Sequence, residues 1–484
     1  MSEFDYDLIV VGGGAAGMVS SSLAAGLGKK VALVEHRTLG GECTRSGCVP
    51  SKALIKSANI YHYAKNAGLM DYGLSTGEGE NGIRPDRVFG HVRNVVGKVY
   101  HGHRPEVFRE RGMELVFGKP AFLDNHHIDV DGKTLSAESF IIATGSRAFI
   151  PPIEGIAAVP VLTNETVFEL ERLPSSMIVL GGGPIGTELA QALARLGVAV
   201  TIVEMAEQIL IREEKEMRDL LAERFAGEGL TILTRTKALK LEHLGGLIHL
   251  TVEGPDKEER VITAETILVA VGRKPNIEDL DLNKAGVDHS AMGITTDKTL
   301  RTAAPNIYAC GDVVGPYQFS HMAEYQARIA TQNALLPVKK HVDYEHYIWC
   351  MFTDPELAHA GLTEEQARAD HGSSIKVYKW EYANTDRGKT EVEEFGFCKI
   401  ICDDKYKVLG AHIMGSRAGD LIHELQIIKT LGLPLYKLDS VIHIYPTFSD
   451  VIRQPAKQSH IDELKGNIFV QLLSTLFGKK EKPL

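Results

Sequence analysis

Two stretches set the pattern of hydrophobic and polar positions: DLIVVGGGAAG at 7–17 and MIVLGGGPIG at 177–186. In each, a short apolar run predicts a buried strand, the glycines a turn, and the small residues behind them a helix. A second apolar run follows in both, VALVE ending at Glu35 and VTIVE ending at Glu204, and each acid lies 23 residues after the first glycine. The two units match at an offset of 169 residues. No apolar run reaches the roughly eighteen residues that a spanning helix needs. Residues 70–85, rich in glycine and charge, read as a surface loop. In the tail, 456–484, Ile468, Phe469, Leu472, Leu473, Leu476 and Phe477 recur at i, i+1, i+4, i+5, i+8 and i+9, which predicts an amphipathic helix. Packing on this chain or a partner subunit is expected of it. Lys479, Lys480 and Lys482 allow a membrane-surface contact instead.

Gly12, Gly14 and Gly17 fit G-x-G-x-x-G, and so do Gly181, Gly183 and Gly186. The first glycine turns the chain, the second lets backbone approach a pyrophosphate, and the third packs helix on strand. The phosphates then sit where free helix N–H groups and the dipole favour negative charge. A carboxylate at Glu35 or Glu204 accepts hydrogen bonds from a ribose 2′-OH and repels a 2′-phosphate. The pattern therefore predicts two dinucleotide sites, one for a tightly held flavin and one for a diffusing nicotinamide, with Glu204 selecting NADH over NADPH.

A chain of 484 residues has room for three or more domains. Its net charge of −10 argues against a nucleic-acid partner. The acidic start MSEFDYD is not a secretory signal, and six cysteines do not make a disulfide scaffold. A cytoplasmic location is expected. There the close pair Cys43 and Cys48 reads as chemistry rather than as a structural bridge. Cys310, Cys350, Cys398 and Cys402 read as core packing. His101, His103, His126 and His127 sit in charged, loop-like text with no ligand in register, and no metal site is expected.

Eight motifs, in order, carry a family resemblance: GGGAAG at 12–17, GGECTRSGCVPSK at 40–52, IIATGSRA at 141–148, GGGPIGTELA at 181–190, VAVGRKPN at 269–276, TAAPNIYACGD at 302–312, FTDPELAHAGLTEEQA at 352–367 and HIYPTFSD at 443–450. From about residue 5 to about residue 455 the chain resembles the flavin- and pyridine-nucleotide-dependent disulfide oxidoreductases, the family of dihydrolipoamide dehydrogenase, glutathione reductase and mercuric reductase. The resemblance implies an α/β fold with two Rossmann-like dinucleotide-binding domains and a C-terminal α+β dimerisation domain. An FAD domain at 1–151 and 277–345 would hold an inserted NAD(P)H domain at 152–276, with the interface domain at 346–455 and the tail after it. It implies a homodimer in which one interface domain completes the other subunit's active site. Electrons would pass from NADH through FAD to a Cys43–Cys48 disulfide, and on to a small-molecule disulfide or other electrophile. Cys48 would be the flavin-proximal thiol and Cys43 the interchange thiol. A helix N-terminus would lower both thiol pKa values. Lys52 would lie by the flavin and pair with Glu188. Asp312 would bind the ribityl chain and Glu35 the adenosine ribose. Gly145 and Gly272, counted with the cofactor-binding positions, and Thr144 would sit where the chain crosses between domains, as hinges rather than ligands.

Three departures shape the expected activity. Relatives that oxidise dithiols end in His-Pro-Thr-x-x-Glu; here Tyr445 and Asp450 stand in those places. An unperturbed tyrosine has a pKa of about 10 against about 6.5 for histidine, so when neutral it can donate a proton or hydrogen bond but is a poor base. Dihydrolipoamide oxidation is therefore expected to be slow and reduction of an electrophile favoured. Mercuric reductases also carry tyrosine here, but they end in a vicinal cysteine pair where this sequence ends KEKPL, and they commonly begin with a metal-binding module. Inefficient Hg(II) reduction is the expectation. His443 offers a substitute base. Finally, Glu42 and Arg45 replace the Thr and Asn of the commonest relatives, and Arg45 would either lower the Cys43 pKa or recognise an anion. Conventional dihydrolipoyl dehydrogenase, metal-ion reductase and a tail-tethered binding flavoprotein are the rival readings.

Overall fold

The structure, a computed structural model, describes residues 4–66 and 85–477. The surface loop expected at 70–85 lies outside them, apart from its last position. Two compact units emerge. The first holds 4–62, 85–209 and 226–343, the second 63–66, 210–225 and 344–477.

The first unit opens with strand β1 (Tyr6–Val11), helix α1 (Ala15–Gly26) and strand β2 (Val31–Glu35). β1 is the centre of a sheet because both faces of it are covered: Leu8, Ile9, Val10 and Val11 are all fully buried. It pairs in parallel with β2, Leu8 opposite Val31, and with Lys133–Ile142, Leu8 opposite Ser139. Strand Glu114–Phe117 extends the sheet beyond β2, and Ile307–Ala309 joins Lys133–Ile142 in parallel. A second parallel sheet repeats this arrangement. Ser176–Leu180 sits between Ala199–Val203 and Thr266–Val269, with Thr231–Leu233 outside Ala199–Val203. Two short strands, Ser146–Ala148 and Arg273–Pro275, pair antiparallel where the chain passes between the two sheets. Asn276 N donates to Gly145 O at 2.9 Å and Phe149 N to Gly272 O at 3.0 Å, which ties the two crossings together.

The second unit is built on a five-stranded antiparallel sheet in the order 348–351, 356–361, 408–415, 397–402, 376–381. Helices Ala418–Thr430 and Asp450–Gly466 bury Ile422, Leu425, Val451 and Ile452 in its core with Ile400 and Ile413. The start of the expected tail, from 456, continues the second of these helices. A further helix, Ile468–Phe477, follows, with Ile468, Phe469 and Leu472 exposed. Lys479, Lys480 and Lys482 lie outside the described residues. Among the described residues no helix is long and apolar enough to cross a membrane.

Candidate active site

The two glycine loops are built alike. Gly12 and Gly181 adopt φ of 109° and 110°. A Cβ on Gly17 would lie 1.7 Å from Gly12 O, and one on Gly186 2.0 Å from Gly181 O, so each helix seats on its strand only through glycine. Glu35 accepts from Gly13 N and Arg37 N, both at 2.7 Å. Glu204 accepts from Gly182 N at 2.6 Å and Ala206 N at 2.7 Å. Both carboxylates are thus oriented by their own loops at the C-terminal ends of parallel strands, the usual ligand position in such sheets.

Cys43 lies in the short helix α2 (Gly41–Arg45), and Cys48 opens the long helix α3 (Cys48–Asn66). Both thiols are free and hydrogen-bond to each other. The Cys48 sulfur is 3.7 Å from Ser320 Oγ. The pair shares its proton unequally. The hydrogen bond from Cys43 draws the Cys48 pKa down to about 6, burial opposes this, and the Lys52 charge adds to it. The Cys43 thiol is pushed up by the same bond, by burial and by the charge on Cys48. Only Cys48, first in its helix, carries the lowered pKa expected of both. Lys52, one turn on, donates to Glu188 Oε2 at 2.7 Å.

Asp312 is held by Ser146 Oγ, which donates to its Oδ2 at 2.6 Å, with Arg273 Nε at 3.5 Å. Burial pushes this carboxyl up, and Arg273 and Ser146 pull it back. Arg273 also clamps Glu42, donating from Nη1 to Oε1 at 2.6 Å and from Nη2 to Oε2. Asn164 Nδ2 donates to the same carboxylate. Arg45 donates to Thr38 Oγ1.

In the second unit Tyr445 and Asp450 each have a hydrogen-bond partner of their own. Tyr445 donates to Asp386 Oδ2 at 2.9 Å, and this bond and the Asp386 charge raise the phenol pKa. Asp450 accepts from Arg453 Nε at 2.8 Å. His443 is turned to Glu424, with Nε2 2.7 Å from Oε1, and its Nδ1 is 2.9 Å from Val441 O. Asp386, Arg273, Asn164 and Ser320 were not among the residues singled out from sequence.

His103 Nδ1 faces Thr44 Oγ1 at 3.2 Å, His126 stacks on Phe4, and His127 meets Asp124. Where acids do converge, at Glu214, Glu216 and Glu364, the Lys399 ammonium lies among them at 2.8, 2.6 and 2.5 Å.

Comparison with known proteins agrees with this layout. Residues 6–327 match the family described as pyridine nucleotide-disulphide oxidoreductase, and 347–456 match its dimerisation domain. The mercuric reductase of Bacillus cereus is 32% identical over 455 residues, 93% of this chain and 71% of its own length. The dihydrolipoyl dehydrogenase of Thermus scotoductus is 34% identical over 466 residues, 94% of this chain and 97% of its own. The structure of the HOCl-induced flavoprotein disulfide reductase RclA from Escherichia coli matches with a TM-score of 0.84 at 27% identity, covering 93% of this chain and 99% of that one. The dimerisation domain supports a homodimer. The chain belongs to the pyridine nucleotide-disulphide oxidoreductase family, whose members are FAD-dependent enzymes that use a pyridine nucleotide.

Proposed function

We propose that this chain is an NADH-dependent reductase that passes two electrons, by way of FAD, to a Cys43–Cys48 disulfide and on to a small disulfide or other thiol-reactive electrophile. The observation that carries the reading is the unequal thiol pair: Cys48 as thiolate beside Lys52, Cys43 as the protonated partner in the preceding turn.

The first glycine loop fits FAD. A Cβ at Gly14 would meet only Gly41 Cα, at 3.8 Å, so this side of the loop is open to a pyrophosphate. Glu35 would take the adenosine ribose and Asp312 the ribityl chain, with Gly12 and Gly17 shaping the loop and Gly145 at the crossing. Bound FAD supplies the two-electron link between nicotinamide and disulfide. Gly181, Gly183, Gly186, Glu204 and Gly272 would serve the nicotinamide dinucleotide. A carboxylate at Glu204, fixed by two backbone N–H groups, favours a free 2′-OH and so NADH.

Within the protein, Cys43 passes its proton to the Cys48 thiolate and attacks the substrate as the thiolate, and Cys48, after giving that proton up, resolves the mixed disulfide. Lys52 holds charge on the Cys48 side, and Glu188 fixes the ammonium. Tyr445 of the partner subunit donates a proton to the leaving thiolate, with Asp386 orienting the phenol; Asp450 shapes the same corner. The net reaction takes two electrons and one proton from NADH and one proton from solvent, cleaves one S–S bond and leaves two thiols. A phenol that Asp386 keeps protonated has no site to take a proton from a dithiol, which favours this direction over dithiol oxidation.

Anaerobic NADH should expose two thiols titratable by a disulfide reagent in the wild-type holoenzyme. NADH oxidation driven by disulfides, quinones or thiophilic metal ions should be lost in Cys43→Ser. A dihydrolipoamide:NAD turnover higher than that with every electrophile tested would overturn the reading in favour of dihydrolipoyl dehydrogenase.

A further inference from the structure

Glu42 immediately precedes Cys43, and its side chain enters a polar network. Both of its oxygens are taken by the Arg273 guanidinium, and Asn164, itself buried, donates to Oε1. Arg273 belongs to the crossing strand 273–275, whose partner strand begins at Ser146. It donates to Ser146 Oγ from Nε at 2.8 Å and to Ser146 O from Nη2 at 3.1 Å. Ser146 in turn holds Asp312. One cation thus bridges two carboxylates, one on the turn that carries Cys43 and the other at the position read as a flavin ligand. A bidentate Arg–carboxylate pair fixes direction as well as distance. Arg273 and Glu42 are largely screened from solvent, at 13% and 23% side-chain exposure, so the clamp is not a loose surface pair.

We propose that Glu42 is a positioning residue for the redox pair, tethering the Cys43 turn to Arg273 at the domain crossing so that the two sulfurs stay in bonding register. This rests on the reading of Cys43 and Cys48 as a redox disulfide. The consequence is thermodynamic. The disulfide equilibrium depends on the effective concentration of one thiol at the other, and a turn held on one side by a bidentate clamp samples fewer open geometries than a free one. The tether therefore stabilises the disulfide and lowers its midpoint potential. Cutting it makes the bond easier to reduce.

The test is a glutathione redox titration of the purified holoenzyme with alkylation trapping of Cys43 and Cys48, read by mass. Glu42→Ala should shift the dithiol–disulfide equilibrium about tenfold toward the dithiol, about 30 mV more positive. Asn164→Ala should shift it the same way by less. The double variant should move no further than Glu42→Ala, because both act through one tether. Glu42→Gln, which keeps the length and one acceptor oxygen, should recover part of the shift; it and Asn164→Ala carry the test if Glu42→Ala does not fold. A wild-type potential retained in these variants, with only the melting temperature lowered, would make Glu42 a mere strut and overturn the inference. Additive shifts would overturn it too. If the wild-type pair itself never titrates, the proposed function fails first, and that outcome is distinct from either of these.

Discussion

Cys48 starts a nineteen-residue helix, and its charge is set chiefly by Cys43, by burial that opposes it, and by Lys52. The hydrogen bond from Cys43 is the largest of these influences, and Lys52 stands one helical turn away. A thiol with a pKa of about 6 is mostly thiolate at neutral pH, where an ordinary one at about 8.5 is mostly protonated. The sign of the pH dependence follows. In the dithiol form, the rate of Cys48 alkylation should be level above neutrality and fall as pH drops through 6. Lys52→Met removes the favourable charge and should move this midpoint up by about one pH unit. Iodoacetamide kinetics with peptide mapping would measure it. An unmoved profile would mean that Lys52 does not face the thiolate as the geometry has it.

At the level of elements, the strand–glycine–helix–strand unit occurs twice with the same hydrogen bonds, so differences between the copies are informative. Each acid is gripped by two backbone N–H groups, and among the described residues the basic side chain paired with either is His36, its Nδ1 3.4 Å from Glu35 Oε1. Glu204→Ala should therefore weaken NADH without unfolding the loop. The ratio of kcat/KM for NADH to that for NADPH should fall about tenfold, a value typical for loss of one charged hydrogen bond. Unchanged selectivity would remove Glu204 from the ribose. These units were legible in the sequence because every part lies within about thirty residues and repeats a periodic pattern. The polar network was not. Arg273 meets Glu42 across 231 positions and Tyr445 meets Asp386 across 59, and no local spacing encodes such pairs. Tyr445 and Asp450 were singled out by replacing a His–Glu dyad residue by residue, and that replacement does not name their partners: Asp450 accepts from Arg453 three positions along its own helix, and the phenol donates to Asp386.

For the whole molecule, the segment from Val441 to Tyr445 poses a problem that a single chain does not solve. Val441, Ile442, Ile444 and Tyr445 are 50, 98, 80 and 68% exposed, in a stretch that precedes the well-buried Phe448, Val451 and Ile452. Four neighbouring large apolar side chains in water are costly, at about 25 cal/mol for each Å² left uncovered. The segment falls within the match to the dimerisation domain, and a second copy of the chain is the natural cover. Ile442→Glu places a charge at the most exposed of these positions, which should cost the isolated subunit little and the dimer a great deal. Light scattering should show a dimer for wild type and a monomer for the variant. The proposed chemistry then separates into two parts. Cys43 and Cys48 belong to one chain, so anaerobic NADH should still expose two thiols in the monomer. Turnover of an external disulfide should fall at least tenfold, because Tyr445 would no longer be delivered by the partner. A monomer with full turnover would show that the tyrosine plays no part across the interface, and a variant that stays dimeric would show that the interface lies elsewhere.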